Sequence, residues 1–150
     1  MNNDKYYKIK LENQICFPLY AASREMIKQY KPFLDEIDLT YTQYIAMMVL
    51  WEKKSTNVKD LGEALYLDSG TLTPLLKKLE AKGLLTRKRS TLDERSLDVT
   101  IIAAGEALRE KALEVPDLAA QCANLEPKEA EALYRILYKM LRKDPIDDAF

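Results

Sequence analysis

The stretch Leu65–Leu85, LYLDSGTLTPLLKKLEAKGLL, restricts what this chain can fold into more than any other. Leu72, Leu75, Leu76 and Leu79 recur at helical spacing, so one apolar stripe of a helix must be buried against neighbouring elements. At roughly 100° per residue, the opposite face carries Gly70, Thr73, Pro74, Lys77 and Ala81, with Thr71 and Lys78 on its borders. Small, hydroxylic and cationic groups on an exposed face suit close approach to a phosphate backbone and to base edges. Taken alone, the same face is equally that of an ordinary solvated helix. Asp68 or Ser69 can cap the start, and Gly83 is a natural stop. Gly70, four residues before Pro74, relieves the clash that a proline ring makes with a preceding carbonyl.

The flanks favour the nucleic-acid reading. Thr40 with Gln43 three residues on is a capping box, opening a helix over Tyr41–Glu52. That helix is expected to present Tyr44, Ile45, Met48 and Val49 to a core, with Trp51 near its end. Asn57 can cap a short helix bearing Val58, Leu61 and Leu65, and a turn at Tyr66–Leu67 leads into the leucine-striped helix. Two short helices joined by a tight turn, the second basic on its outer face, form a helix-turn-helix. The period then changes: Leu84–Ser90 and Leu97–Ile102 are short β-type runs around a charged turn, Thr91–Ser96. A hairpin placed there makes a wing, and Arg95 at its tip either probes a minor groove or pairs with Asp93.

The two ends read as helical. From Leu11 to about Tyr30, the residues Leu11, Ile15, Leu19, Ala22 and Met26 share a face, with Pro18 expected to bend the helix beside Cys16. Met1 to about Lys8 reads as a polar, frayed start, and Lys31–Asp38, with Pro32, as a connection. From Ala103 to Cys122, a long helix carries Leu108, Ala112, Val115, Ala119 and Cys122 in a heptad-like seam that wants a partner helix, with a kink expected at Pro116. Pro127 opens a last helix, and Arg142–Phe150 is an acidic tail with no assigned purpose. The expectation is one domain of 150 residues, mainly α with a small β-hairpin wing. A winged helix-turn-helix at about 40–102 is flanked by dimerisation helices at about 9–38 and 103–142. A twofold homodimer would present two recognition helices to a pseudo-palindromic double-stranded operator.

Charge placement agrees. The net charge is only −1, yet Lys77–Arg95 holds seven Lys/Arg against three acids, a local +4 that leaves −5 elsewhere. A basic patch on an otherwise acidic chain is a sharper nucleic-acid signal than bulk basicity. The absence of histidine removes the usual general base, the catalytic triads and most zinc sites, so neither metal nor cofactor is expected. With four glycines and no Gly-rich phosphate loop, kinase and hydrolase readings have little support. No apolar run suits a membrane span. Two cysteines 106 positions apart are no disulfide framework, which points to the reducing cytoplasm.

Four segments carry a family resemblance: LENQICFPLYAASR (Leu11–Arg24), LTYTQYIAMMVLWE (Leu39–Glu52), LDSGTLTPLLKKLEAKGLLTRKRS (Leu67–Ser90) and DER (Asp93–Arg95). Together they resemble the MarR family of winged-helix regulators, and more narrowly its organic-hydroperoxide-responsive OhrR type. The Asp-x-Arg wing is shared across the family; the cysteine in ENQ-x-CF-x-LY together with LDSGTLTPLLK is far more specific to the peroxide-sensing branch. The resemblance implies a dimeric repressor that leaves its operator when Cys16 is oxidised by an organic hydroperoxide. It implies that Tyr20 and Tyr30 hydrogen-bond to the sensing cysteine across the dimer, phenol donors favouring a thiolate. Geometry is compatible: Tyr20 is one turn from Cys16, whereas Tyr30 lies about 21 Å along the axis and can reach only an antiparallel neighbour's cysteine. Cys122 stands about where some members carry a cysteine that resolves the oxidised one across the dimer; filling the helix seam is the other reading. By the same resemblance, Ser69, Thr71, Thr73 and Lys77 meet major-groove bases and phosphates. Arg87 and Lys88 stand at the wing base, and Arg95 in the minor groove. The competing expectation is a regulator of the same family responding to a small aromatic acid or another oxidant, with a thiol peroxidase as a remote third.

Overall fold

A computed structural model describes residues 5–141. The expected acidic tail from Arg142, and Met1–Asp4 of the polar start, lie outside the described residues. Two turns of 3-10 helix, Tyr7–Ile9 and Leu11–Asn13, lead into α1 (Cys16–Asp35). The helix therefore starts five residues later than its apolar spacing suggests. Pro18 falls in the first turn of α1, where backbone amides have no intrahelical partner, so the expected bend has no cause. Pro32 lies inside α1, and the segment read as a connection is the last turns of this helix. Leu34 explains why: it is buried to 2% exposure in the core. Burial worth about 1.5–3 kcal/mol offsets much of the roughly 3 kcal/mol that an interior proline costs.

The chain reverses at Asp38, which adopts a φ of 53°, and enters α2 (Tyr41–Lys53) through the expected capping box. The Gln43 amide donates to Thr40 Oγ1 at 3.3 Å, and the Thr40 amide to Gln43 Oε1 at 3.1 Å. The buried face of α2 is Gln43, Tyr44, Ala46, Met47, Leu50 and Trp51, while Met48 is exposed and Ile45 and Val49 are half-buried. The expected face was thus rotated, because YIAMMVLW is apolar all round and its period marks no single side.

Next come β1 (Ser55–Asn57), α3 (Val58–Leu65), α4 (Ser69–Ala81), β2 (Leu85–Arg89) and β3 (Leu97–Ile101). The three strands form an antiparallel sheet in the order β1-β3-β2, with Thr56 opposite Val99 and Arg87 opposite Val99 on the other side. The hairpin was expected; β1 was not, since Ser-Thr-Asn shows no apolar alternation. Its place is set by the partner strand, with Ser55 Oγ and Thr100 Oγ1 2.8 Å apart.

The last elements are α5 (Ala103–Ala112), α6 (Val115–Cys122) and α7 (Pro127–Met140). The long helix expected from Ala103 to Cys122 is two helices. A proline ring clashes with the carbonyl four residues back, here Ala112, and α5 ends at that residue. Pro116 opens α6 instead of kinking a continuous helix. The seam finds its packing partner within the chain: Ala112, Val115 and Ala119 are buried, and α6 packs on α1.

The core gathers Leu34, Tyr44, Met47, Leu50, Leu61, the four leucines of α4, Leu85 and Val99. Trp51 joins the helix-turn-helix to α5, its indole N–H donating to the buried Gly105 carbonyl at 2.8 Å. No helix among the described residues is long and apolar enough to cross a membrane.

Candidate nucleic-acid interface and thiol site

Helix α4 takes the form its sequence prescribes. Asp68 caps it, the carboxylate accepting from the Thr71 amide at 2.8 Å. It closes on Gly83 at φ 73°, with the Gly83 amide donating to the Glu80 carbonyl and the Leu84 amide to the Leu79 carbonyl. Leu72, Leu75, Leu76 and Leu79 are each buried to 7% exposure or less. Because that stripe is pinned in the core, Ser69, Thr71, Thr73, Lys77 and Lys78 all face outward.

The hairpin folds over the N-terminal half of α4 and encloses a cleft of about 920 Å³. Of the residues singled out from sequence, Ser69, Thr73, Arg87, Asp93 and Arg95 line this cleft. Thr71, Lys77 and Lys88 are exposed outside it. At the wing tip, Asp93 Oδ1 accepts from the backbone amide of Arg95 at 2.9 Å. No ion pair joins the two side chains among the described residues, so the expected Asp93–Arg95 salt bridge is instead a turn held by the main chain. The Arg95 side chain is left exposed on that turn.

Two cations counted in the basic patch have protein partners. Lys82 Nζ donates to the Asp38 carbonyl, stands 3.2 Å from the Asp38 carboxylate, and lies 3.4 Å from Gln43 Oε1. It ties the end of α4 to the turn between α1 and α2. Arg87 binds Glu80 through its backbone amide and two guanidinium nitrogens. The Glu80 carboxyl is held below its ordinary value of 4.5, first by the Arg87 amide and then by its guanidinium. The sequence shows Glu80 only as one acid among cations; no local spacing signals the pair, because the turn at Gly83 separates α4 from β2.

The thiol site lies at the other end of the molecule's sequence. Cys16 is the first residue of α1 and is exposed. The positive end of the helix dipole lies there, while the Phe17 amide is taken by the Gln14 carbonyl at 3.3 Å and Pro18 has no amide to offer. Tyr20, one turn on, is exposed, and its hydroxyl accepts from Arg24 at 2.8 Å with the guanidinium over its ring. Tyr30 sits far along the same helix in a cluster with Tyr41 and Tyr44, at centroid distances of 5.1 and 6.2 Å. Tyr41 was not singled out from sequence, since α2 carries it and only the packing of α1 on α2 brings the rings together. Burial raises the pKa of all three phenols, that of Tyr44 to about 12. They are therefore protonated at neutral pH and able to donate.

Cys122 ends α6 and is half-buried in an apolar groove of about 560 Å³ between α1 and α7. Ile15, the residue before Cys16, lines the same groove, as do Leu19, Met26, Leu133 and Met140. Met26, Leu133, Ile136 and Met140 are each about 40–55% exposed, an uncommon state for apolar side chains lying side by side on two helices.

Residues 28–114 match the family model described as transcriptional regulator SarA/Rot. The chain is 49% identical over 138 residues to the organic hydroperoxide resistance transcriptional regulator of Bacillus subtilis, covering 92% of this chain and 94% of that one. It is similar to a solved structure of reduced AbfR bound to DNA, the AbfR of Staphylococcus epidermidis, with a TM-score of 0.73 and 32% identity over 90% of this chain and 94% of that one. The disulfide-formed AbfR matches with a TM-score of 0.62 and 33% identity, over 94% and 99% of the two chains. Helix-turn-helix, wing, terminal helices and these likenesses agree: the chain belongs to the MarR-type winged-helix transcriptional regulators, in their OhrR branch.

Proposed function

We propose that this protein is a redox-responsive, DNA-binding repressor that acts as a homodimer and releases its operator when Cys16 is oxidised by an organic hydroperoxide. The observation that carries this reading is the position of Cys16. It is an exposed thiol on the first turn of a twenty-residue helix, beside an uncovered apolar groove that holds the second cysteine. A second protomer laid on α1 and α7 covers that groove and brings the Tyr30–Tyr41 phenols of one chain toward the Cys16 of the other. In this reading Tyr20 and Tyr30 stabilise the thiolate. Ser69, Thr71, Thr73 and Lys77 contact the major groove, Lys88 the backbone, and Arg95 the minor groove.

The chemistry is stoichiometric. The Cys16 thiolate attacks one peroxide oxygen, the O–O bond breaks, an alcohol leaves after protonation, and Cys16 becomes a sulfenic acid. The partner's Cys122 thiol then attacks that sulfur, water leaves, and an intersubunit disulfide remains. Such a bond needs Cα atoms within about 7 Å, so its formation drags α1 and α6 of opposite chains together and moves the winged lobes. One event per molecule suffices for a switch, and no turnover is proposed.

A second reading is favoured by the cleft between α4 and the wing, where Arg87 and Arg95 border a space of about 920 Å³. A small aromatic acid held there would displace the wing without involving Cys16. Operator binding by the purified reduced protein, before and after one equivalent of cumene hydroperoxide, separates the two. Wild type is expected to release DNA with an interchain bond seen by mass spectrometry, Cys16→Ser to stay bound, and Cys122→Ser to form no such bond and to stay bound as well. Release of DNA by Cys16→Ser under peroxide would sink the redox reading.

A further inference from the structure

Glu80 and Arg87 form a contact denser than a surface ion pair. Glu80 Oε1 accepts from the Arg87 backbone amide at 2.9 Å, while Oε2 accepts from Arg87 Nε at 3.0 Å and Nη2 at 2.9 Å. One carboxylate thus takes three donors from one residue. The Arg87 side chain is only 18% exposed and that of Glu80 35%, so the pair is shielded more than most surface bridges, whose worth is small.

Its placement gives it a task. Arg87 is the middle residue of β2, an edge strand of the sheet, opposite the fully buried Val99 of β3. Its amide points away from β3 to Glu80, so a carboxylate on α4 satisfies the outward donor of the wing's edge. Glu80 stands one residue before the end of α4, on the helix that also carries Ser69, Thr73 and Lys77. The planar guanidinium fork fixes the angle as well as the distance between helix and strand.

We propose that Glu80 and Arg87 are a positioning pair that sets the wing against the recognition helix, and that Arg87 serves DNA binding through Glu80 and not as a phosphate contact. This rests on the DNA-binding reading above. Its consequence runs against simple electrostatics. Removing an acid beside a phosphate-binding face ordinarily tightens binding; here, removing Glu80 weakens it, because the wing tip with Arg95 loses its register to α4.

The test uses a fluorescent duplex enriched by the wild-type protein from a randomised pool, titrated over a range of KCl concentrations with wild type, Glu80→Ala, Arg87→Ala and the double variant. Alanine is the best helix former, so Glu80→Ala keeps α4 intact. Each single variant is expected to bind on the order of tenfold more weakly, about one charge-assisted contact's worth. The double variant is expected to lose no more than either single, and the salt slope of wild type is expected to persist in all three. Unchanged or tighter binding by Glu80→Ala overturns the proposal. So does an additive loss in the double variant, or a salt slope lowered by about one ion in Arg87→Ala, since either makes Arg87 an independent phosphate contact. A second arm needs no DNA: amide hydrogen exchange in Glu80→Ala is expected to quicken at Arg87 and along the wing but not in α2. Unaltered exchange at Arg87 overturns the clamp. If wild type enriches no duplex, the DNA-binding reading fails, and exchange alone then decides the positioning pair.

Discussion

A Cβ at Gly105 would collide with the Leu84 carbonyl oxygen and lie 2.8 Å from Ile101 Cγ1, whereas one at Gly83 would meet nothing within 4 Å but sit at a φ of 73°. The two glycines answer different demands, one of space and one of backbone conformation. Gly83→Ala should cost about 1–2 kcal/mol, the penalty of a left-handed conformation. Gly105→Ala should cost more, about 3 kcal/mol, since α5 must move off Leu84, the residue before β2, and carry the Trp51 hydrogen bond with it. Urea unfolding of both variants, followed by the emission of Trp51, tests the order; equal losses would contradict it. Gly83 was legible from sequence, because it follows a helix whose periodicity ends there. Gly105 was not, because the groups it must avoid lie on other elements.

The aromatic cluster between α1 and α2 has a signature in alkali. Burial raises the pKa values of Tyr30, Tyr41 and Tyr44, so folding favours the neutral phenols. The stability they contribute is whole below the ordinary value of 10 and is lost as pH rises through the raised folded values, near 12 for Tyr44. A phenolate absorbance titration should show these tyrosines ionising late and together with loss of helix. Early, independent ionisation of all nine tyrosines would show that the cluster is not buried. Glu80 has the opposite sign: its lowered value means that the contribution of the clamp is whole above 4.5 and disappears as pH falls through the lower folded value. The acid limb of the unfolding profile should therefore flatten in Glu80→Ala. Neither effect can be read from residue types alone, since both depend on which groups packing shields.

Viewed as a whole, the chain buries its winged lobe and leaves the apolar faces of its two terminal helices uncovered. Leu19, Met26, Leu133 and Met140 line one groove between α1 and α7. In the proposed homodimer that groove is interface, so Met26→Glu or Leu133→Glu should yield a folded monomer in sedimentation equilibrium and abolish tight binding to a palindromic duplex. A dimer surviving both changes would place the interface elsewhere. Charge is organised at the same level. Of the cations counted between Lys77 and Arg95, Lys82 and Arg87 hold α4 to the α1–α2 turn and to the wing. The field offered to DNA is therefore smaller than the sequence count, and the geometry that aims it is firmer.

Local chemistry was enough to specify the pieces. The leucine stripe of α4, the Thr40 and Asn57 caps, the Gly83 stop and the β-type runs of the hairpin each follow from nearest neighbours along the chain. That is why the winged helix-turn-helix is legible in the sequence. What neighbours along the chain do not encode is competition between distant groups. Leu34 offsets much of the cost of Pro32, Val99 recruits a strand from Ser-Thr-Asn, and Glu80 claims Arg87 from the solvent. These contacts join residues that only the folded chain brings together, and their energies, not the local pattern, determine which side chains are free to act.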